Sequence, residues 1–541
     1  MNTGSSNVSP RSEASYDSTE KYVTPQKRPF WQRLFHIHRS RRPDYENAEI
    51  HTWNGPDDPE NPNWMFDVSN CLHPLFIVLS IDNNSLTKRN VIVSLPAGSY
   101  SSGKLYMAER FHVQNEPFPN LQFATMTFQF GAAFLPPIFV PLSESWGRRP
   151  GYFFGYSILV ISLFPSAFAQ NFATLVVTRF FGGGAAASTI NIVGGSISDV
   201  WRGGVSRSHP LSLYVFSTVV GIALGPFIGG GLQRIHIGSP WRWIFYCQII
   251  WGFALMPVFY FILSETRGDV ILSKRARNLR LQTGRPIYSK FDLKAPSVLQ
   301  RSKISTTRPT RMLLTEPVVL FFTLWLSFAW GTLFLFFDSV YLTFHHNYKW
   351  NVFTVGLVEL SILIGTFIGL VFDPIQAEIY KRSAKRNPTA DGQGKPIPEA
   401  RLYTSIPGSL LFAGGLFWYG WGSVGHGSLH WIVPALGIGC TGIGIFSILM
   451  AVNNFLVDAY EKYAASALSA TSLGRNIISG ALPLATHALF THLGYGWAGT
   501  LLGFIGLGLS LVPVVLVLKG PAIRKRSPFM RESMFEENKT D

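Results

Sequence analysis

The amino-acid sequence predicts an all-α protein that crosses a membrane many times and is built as two six-helix bundles. Only 14% of its 541 residues are charged, whereas 47% are hydrophobic, and the hydrophobic residues occur in long runs. Eleven such runs follow residue 120, each long enough to cross the hydrocarbon core of a bilayer, and a weaker run precedes them. The widest interior gap, 264–315, divides the twelve runs six and six.

Basic residues are concentrated on one side of the predicted spans. The net charge is +15, and the stretch 265–311 holds 12 Lys or Arg against 3 Asp or Glu. The connections on the opposite side carry few basic residues, chiefly Lys104, Arg110, Arg234 and Lys349. By the positive-inside rule both termini and the long central connection lie in the cytoplasm, so the basic residues face the lipid bilayer surface and not nucleic acid.

This pattern predicts five regions along the chain. We expect a disordered cytoplasmic tail over 1–70, helix bundles over 71–263 and 316–519, a basic cytoplasmic loop over 264–315 and a cytoplasmic tail over 520–541. The three cysteines, Cys71, Cys247 and Cys440, are far apart and predict neither a disulfide framework nor a metal site.

The first of the twelve runs is interrupted by charge. Residues 72–81 and 91–98 are apolar, but Asp82, Lys88 and Arg89 lie between them. Three charges near the centre of a helix would cost roughly 7–10 kcal/mol on a membrane-insertion scale, too much for so short a run to offset. Two explanations stay open: a coding sequence that retains an intron, or a broken helix that lines a cavity.

A glycine stripe occupies the run 209–231. Gly221, Gly225 and Gly229 recur at every fourth residue, so on a helix they form one face that a neighbouring helix can approach to backbone contact. Pro226 removes one hydrogen bond of the same helix, which a membrane protein tolerates if neighbours re-satisfy the freed carbonyl. Close helix packing is by itself a sufficient explanation of this spacing.

Together with Gly230, the stripe reads G-x-x-x-G-P-x-x-G-G, which resembles the antiporter motif of the major facilitator superfamily. The stretch Trp53–Trp64, WNGPDDPENPNW, resembles the segment before the first helix in the fungal twelve-span drug:proton antiporters of that superfamily. The resemblance implies the major facilitator fold, in which two bundles rock about a midplane site. It also implies a proton gradient, and no cofactor, as the source of energy.

The connection after the second run reads PLSESWGRRP. An acidic residue before an arginine pair in a tight glycine turn can form a charge-assisted network, although a basic turn that sets topology would need the arginines alone. The connection resembles the cytoplasmic loop motif of the superfamily, whose charges hold the two halves together in one state. On that resemblance the latch residues are Glu144, Gly147, Arg148 and Arg149.

Arg179 lies within the fourth run, about two helical turns from its outer end. A charge inside a membrane indicates a functional site unless the side chain snorkels to the surface. The residue, followed by glycines and alanines, resembles the fourth-helix motif that the superfamily links to proton transfer. Arginine does not release its proton, so it would act by favouring the ionised form of a nearby carboxyl group or by ordering water.

Two acidic residues within runs are candidates for carrying the proton: Glu359 in the eighth and Asp338 in the seventh, where the latter also suits an interfacial position. Arg475, near the middle of the eleventh run, needs a partner, which could be one of these acids or an asparagine of the tenth run. Polar or aromatic residues that suit a substrate cavity are Gln129, Asn191, Gln248, Trp325, Asn453 and Asn454. Aromatic residues of the seventh run could equally face lipid.

These observations predict proton-coupled export of a small amphipathic or cationic compound, such as a drug, toxin, secondary metabolite or polyamine. We expect a monomer in the plasma membrane whose partners are this compound, protons and lipid. An uptake symporter or facilitator on the same fold and a nutrient sensor without flux remain alternatives. An enzyme is not expected, because no catalytic triad, carboxylate pair or metal-ligand cluster stands at the loop ends.

Overall fold

The structure is a computed structural model that describes residues 49–53, 58, 61, 81–113, 119–201, 207–235, 239–294, 298–386, 396–424 and 429–537. The predictions for residues 1–48, 54–57, 59–60 and 62–80, which include most of the stretch Trp53–Trp64, lie outside this part of the chain. The helices and strands are β1 (Glu49–His51), α1 (Ile81–Phe111), α2 (Phe123–Phe134), α3 (Pro136–Trp146), α4 (Arg148–Ala167), α5 (Phe172–Val200), α6 (Ser208–Leu232), α7 (Pro240–Ile262), α8 (Gly268–Thr283), β2 (Ile287–Ser289), α9 (Lys290–Lys294), α10 (Val298–Thr315), α11 (Pro317–Tyr348), α12 (Val352–Ser383), α13 (Ser405–Gly422), α14 (Ile432–Tyr460), α15 (Ala464–Ala481), α16 (Thr486–His492), α17 (Gly494–Leu509), α18 (Leu511–Arg526) and α19 (Pro528–Glu537).

Many of these helices are long and apolar. Among the described residues, six helical segments have the length and hydropathy to cross a bilayer: Arg148–Ala167, Ser208–Leu232, Pro317–Tyr348, Val352–Ser383, Ile432–His492 and Gly494–Arg526. Helices α2 and α3 would make a seventh if the pair, which is bent by 41°, is one span. The chain is therefore a multi-pass membrane protein, while the full set of twelve spans stays a prediction.

The helices pack as two groups. In the first, α1 lies on α6 and α7, α2 on α5, and α4 on both α5 and α7. In the second, α11 lies on α15, α12 on α14, and α13 on α14 and α17. The groups meet where α6 contacts α12 and where α2 contacts α15. We call them the first and second bundles.

The first helix does not have the break that one of the two explanations of its charged stretch requires. Its backbone is helical without a break from Ile81 to Phe111, so the stretch 82–90 interrupts the apolar pattern but not the helix. The helix also continues well beyond residue 98, where the apolar run ends. Because α1 extends to Phe111, Lys104 lies inside a helix and not in a loop.

The connection between the bundles is structured and joins the segment before α1. Strand β1 pairs in parallel with β2, with Glu49 opposite Ile287. Arg275 of α8 donates to the buried Asp58 carboxylate at 2.7 Å. Helix α10 packs against α3 of the first bundle and α15 of the second. We call the end of the molecule that carries this connection the loop end.

Candidate functional site

An ion pair joins the two bundles away from the loop end. The Lys104 Nζ atom of α1 lies 2.7 Å from an Asp338 carboxylate oxygen of α11, and the two side chains are 9% and 13% exposed. The same ammonium group donates to the Gln122 side-chain oxygen at 2.7 Å. Asp338 is therefore an interior residue whose charge is balanced from the other bundle.

Glu359 lies beside this pair. It is on α12 and only 2% exposed, and its Oε2 atom has no hydrogen-bond partner among the described residues. Its charged neighbours are Asp338 and Lys104. The structure thus brings together both acidic residues that the sequence suggested, and it adds Lys104. We call these three residues the ionic cluster.

Sequence reasoning placed Lys104 in a loop and missed it. The available signal was the run that follows, Leu105-Tyr106-Met107-Ala108, which is apolar enough to continue a helix. The partner could not be read from the sequence, because Lys104 and Asp338 are 234 residues apart.

Arg179 is buried at the junction of three helices of the first bundle. Its guanidinium group donates to the carbonyl oxygens of Ala124 and Pro96, each at 3.0 Å. It also lies over the rings of Tyr100 and Phe128, at 4.4 and 4.6 Å from their centroids. Arg179 is 4% exposed, so it does not snorkel. The structure places Lys104, and not Arg179, beside the carboxyl groups.

Arg475 occupies a separate position on α15. Its guanidinium lies 4.8 Å from the centroid of the Trp330 ring, and its hydrogen bonds, to Asn476 and Ser472, are both long at 3.4 Å. The expected pairing with an acid of the ionic cluster is not formed, because that cluster contains its own cation. Tyr214 of the first bundle is its electrostatic neighbour.

The glycine stripe lies in α6 against α1. A Cβ atom on Gly221 would overlap the Ser94 hydroxyl oxygen, and one on Gly225 would overlap the backbone nitrogen of Ser99. Gly229 meets the Ser102 hydroxyl in the same way, so three successive turns of α6 are in close contact with α1. Close packing, which the spacing predicted, is what the structure shows.

The last two features of the motif act beside the stripe. Pro226 leaves the Ile222 carbonyl without its helical donor, and that oxygen points at Gly98 of α1 so closely that a Cβ there would overlap it. Gly230 faces the other bundle, where a Cβ would lie 3.0 Å from the Phe353 Cα atom of α12. The motif therefore supports both the α1 contact and the contact between bundles.

The latch residues lie at the loop end, but their partners differ from those expected. Arg148 pairs with Asp199 at 2.7 Å, and Arg267 lies 3.1 Å from the same carboxylate. The Glu265 carboxylate accepts from the backbone nitrogens of Arg148 and Arg149, at 2.8 and 3.2 Å. These contacts join α3 and α4 to the ends of α5 and α7, all within the first bundle.

Glu144 and Gly147 take different parts in this arrangement. Glu144 is an electrostatic neighbour of Arg148, but the ion pair of that arginine is with an acid that the sequence analysis did not single out. Gly147 has φ of 108°, and a Cβ there would overlap the Glu265 carboxylate. Glycine is therefore required both by the turn and by the carboxylate that caps α4.

Contacts between the bundles at the loop end come from residues that sequence reasoning missed. Arg401 pairs with Asp458 at 2.8 Å in the second bundle and donates to the Ser208 hydroxyl of α6 at 2.9 Å. Ser212 of α6 donates to the Asp373 carboxylate of α12 at 2.5 Å. Arg401 also lies over an aromatic ring, that of Tyr380, at 3.4 Å.

The cavity candidates have mixed positions. Gln129 and Trp325 are 3% and 1% exposed, and each has a side-chain nitrogen without a hydrogen-bond partner among the described residues. Gln248 donates to Ser99 at 2.6 Å. Asn454 is buried, whereas Asn191 and Asn453 are half-buried.

The aromatic residues of α11 face the protein interior rather than lipid. Those buried are Phe322, Trp325, Phe328, Trp330, Phe334, Phe336, Phe337 and Phe344. Phe321, which is 51% exposed, is the exception in this part of the helix.

Two packed bundles of apolar helices with ionisable residues at their interface are typical of a multi-pass membrane transport protein. Residues 91–483 match the Major Facilitator Superfamily. The chain belongs to this superfamily. The matched region begins after Asn90, next to the charged stretch of α1.

Relatives and solved structures agree with this assignment. The chain is 37% identical over 401 residues to the efflux pump atB of Aspergillus terreus, which covers 73% of this chain and 82% of that one. It is 32% identical over 483 residues to the citrinin biosynthesis cluster MFS transporter mrr1 of Monascus ruber, covering 88% and 91%. The fold is similar to that of the xylose transporter XylE from E. coli, with a TM-score of 0.55 at 17% identity over 80% of this chain and 97% of that one.

Proposed function

We propose that this transporter exports a small amphipathic compound in exchange for protons, by alternating access between the two bundles. The observation that carries the proposal is the ionic cluster, because ionisable residues inside a membrane protein are costly and mark ion or substrate pathways. The relatives named as an efflux pump and as a transporter of a biosynthesis cluster support export of a secondary metabolite.

The geometry of the ionic cluster suits a proton carrier. Lys104 reaches Asp338 from the other bundle, so their attraction holds the bundles together on that side. Protonation of Asp338 would remove the negative charge and weaken this link. Glu359 is a second buried carboxyl group whose charged neighbours are this pair, so the cluster offers two candidate carriers for the proton. A proton entering the cluster is thereby coupled to separation of the bundles.

The other parts of the proposal concern the setting. We place the protein in the plasma membrane as a monomer, with both termini and the loop end in the cytoplasm. The basic composition of the stretch 265–311 supports that orientation through the positive-inside rule.

The proposal is tested with purified protein in liposomes that contain a pH-sensitive dye. Acidic, neutral and basic fluorescent amphiphiles would be added one at a time, and proton movement recorded. An exporter of this type moves protons against the direction of the compound, and we expect Glu359→Gln and Lys104→Met to abolish the coupled movement. Glu378→Gln is the matched control, because Glu378 is on the same helix and its side chain is 51% exposed.

Each other result argues for a different protein. Protons that move in the same direction as the compound indicate a symporter. Binding without any flux indicates a sensor. If coupled exchange persists in both variants, the protein is still an antiporter, but the ionic cluster is not the site that carries the proton.

A further inference from the structure

Arg475 is a cation at the bundle interface for which the described residues supply no carboxylate. It lies on α15, within the stretch Ile432–His492 that has the length and hydropathy to cross a bilayer. A guanidinium group has five N–H donors, and the two hydrogen bonds that Arg475 makes are both 3.4 Å long and go to neutral acceptors. A charge in such a place ordinarily has a charged or strongly hydrogen-bonding partner.

Two other interior cations have closer partners than Arg475, although the Arg179 Nη2 atom has none among the described residues. Lys104 is paired with Asp338, and Arg179 is enclosed by two carbonyl groups and two aromatic rings. Arg475 differs from both, because its only hydrogen bonds within the described part of the chain are long and go to neutral acceptors. A guest that brings a negative charge would balance Arg475, whereas a polyamine would add to the charge that is already there.

The surroundings of Arg475 suit an acidic group on an aromatic body. The guanidinium lies over the face of Trp330, and Phe334 meets that indole edge-on with centroids 6.2 Å apart. An arginine fork binds a carboxylate through two parallel hydrogen bonds. The Trp330 ring, which is 6% exposed, holds the guanidinium in place from one side and makes the surroundings aromatic. Asn476, the neighbour of Arg475, donates to the Ala132 carbonyl oxygen of the first bundle at 2.9 Å, so a guest bound here would lie where the two bundles meet.

We propose that Arg475 and Trp330 form a binding subsite for the acidic group of an aromatic or amphipathic anion. The inference rests on the proposed function and narrows its substrate class to organic acids. If the exported compound is an anion, the positive charge of Arg475 would be the feature that makes the transporter select acids over their neutral analogues.

Three probes with one ring system test the subsite: naphthoate, naphthamide and naphthylmethylammonium. Binding to the purified full chain in detergent would be measured by isothermal titration calorimetry. We expect the wild type to bind naphthoate roughly tenfold more tightly than naphthamide, since a charge-assisted bidentate pair replaces a neutral hydrogen bond. Arg475→Gln should remove that preference, and Arg475→Lys should retain part of it.

Arg234→Gln is the control, because Arg234 is an exposed arginine that also lies over an aromatic ring, that of Phe353 at 4.0 Å. It should bind naphthoate as the wild type does. If Arg475→Gln does not fold, Arg475→Lys still decides the question. Lysine keeps the positive charge but cannot form two parallel hydrogen bonds, so this variant should bind naphthoate more weakly and naphthamide as tightly as the wild type does.

Three results would overturn the subsite: no binding of naphthoate by the wild type, tighter binding of naphthylmethylammonium, or an acid preference that survives Arg475→Gln. If a neutral or basic dye shows proton-coupled flux and naphthoate does not compete with it, the proposed function is retained and only the subsite is refuted. Binding of naphthoate that depends on Arg475, without any coupled flux, would support the subsite and remove export.

Discussion

The ion pair between Lys104 and Asp338 should contribute to stability as a buried pair does. The two side chains are 9% and 13% exposed, so solvent screens the charges poorly and the small values typical of surface pairs do not apply. In Lys104→Met one Asp338 oxygen loses its partner, while the other already has none among the described residues. Removing one member of a buried pair costs about 3–5 kcal/mol, which is the expected loss for Lys104→Met.

A double-mutant cycle separates the pair from unrelated effects of the substitutions. Lys104→Met, Asp338→Asn and the double variant would be compared by unfolding in increasing SDS, with helicity as the signal. We expect the free energy of unfolding lost in the double variant to be smaller, by roughly 1–3 kcal/mol, than the sum of the losses in the two single variants. Lys303→Met is the control: Lys303 is exposed, and we expect a change within about 0.5 kcal/mol.

The reasoning would be refuted by additive single losses. It would also be refuted if Lys104→Met were as stable as Lys303→Met. Either result would mean that Lys104 and Asp338 do not act as a pair in the membrane protein, and the link between bundles that the proposed proton coupling requires would be lost.

Two further pairs of substitutions test the glycine stripe and the loop end by thermal unfolding. Gly225→Ala should lower the free energy of unfolding by about 1–3 kcal/mol, because the added Cβ atom would overlap the backbone of Ser99. Gly414→Ala, which has open space around the added Cβ atom, should leave stability unchanged or raise it. Equal effects of the two substitutions would contradict the close packing of α6 on α1. Asp199→Asn should cost roughly 2–3 kcal/mol because this carboxylate serves two arginines, one of them buried. Asp269→Asn, whose side chain is 48% exposed, should cost less than about 1 kcal/mol, and a larger loss there than at Asp199 would contradict the assignment.

Much of the fold followed from local sequence. Runs of apolar residues, few charges and the positive-inside bias predicted a multi-pass helical protein, because hydrophobic length is a property of consecutive residues. The packing face of α6 was also readable, since Gly221, Gly225 and Gly229 must share one side of any helix. The continuity of α1 was not, because its charged start lowers the hydropathy without breaking the backbone hydrogen bonds.

The sites were only partly readable. Glu359, Asp338 and Arg179 could be selected because a charge in an apolar run is unusual in itself. Their partners could not be read from the sequence, and neither could the acid that pairs with Arg148. Asp199, its actual partner, is 51 residues away and belongs to another helix.

The sequence by itself determined that this chain lies in a membrane, which residues are charged there and which helix face is bare enough for close contact. Tertiary structure alone decided that Lys104 pairs with Asp338 and that Arg179 is enclosed by carbonyls and rings. It also decided that Arg475 faces an indole and has no carboxylate partner within the part of the chain that the structure describes. The reason is physical: hydropathy and helix periodicity depend on neighbours in the chain, whereas the partner of a buried charge depends on which helix faces pack together.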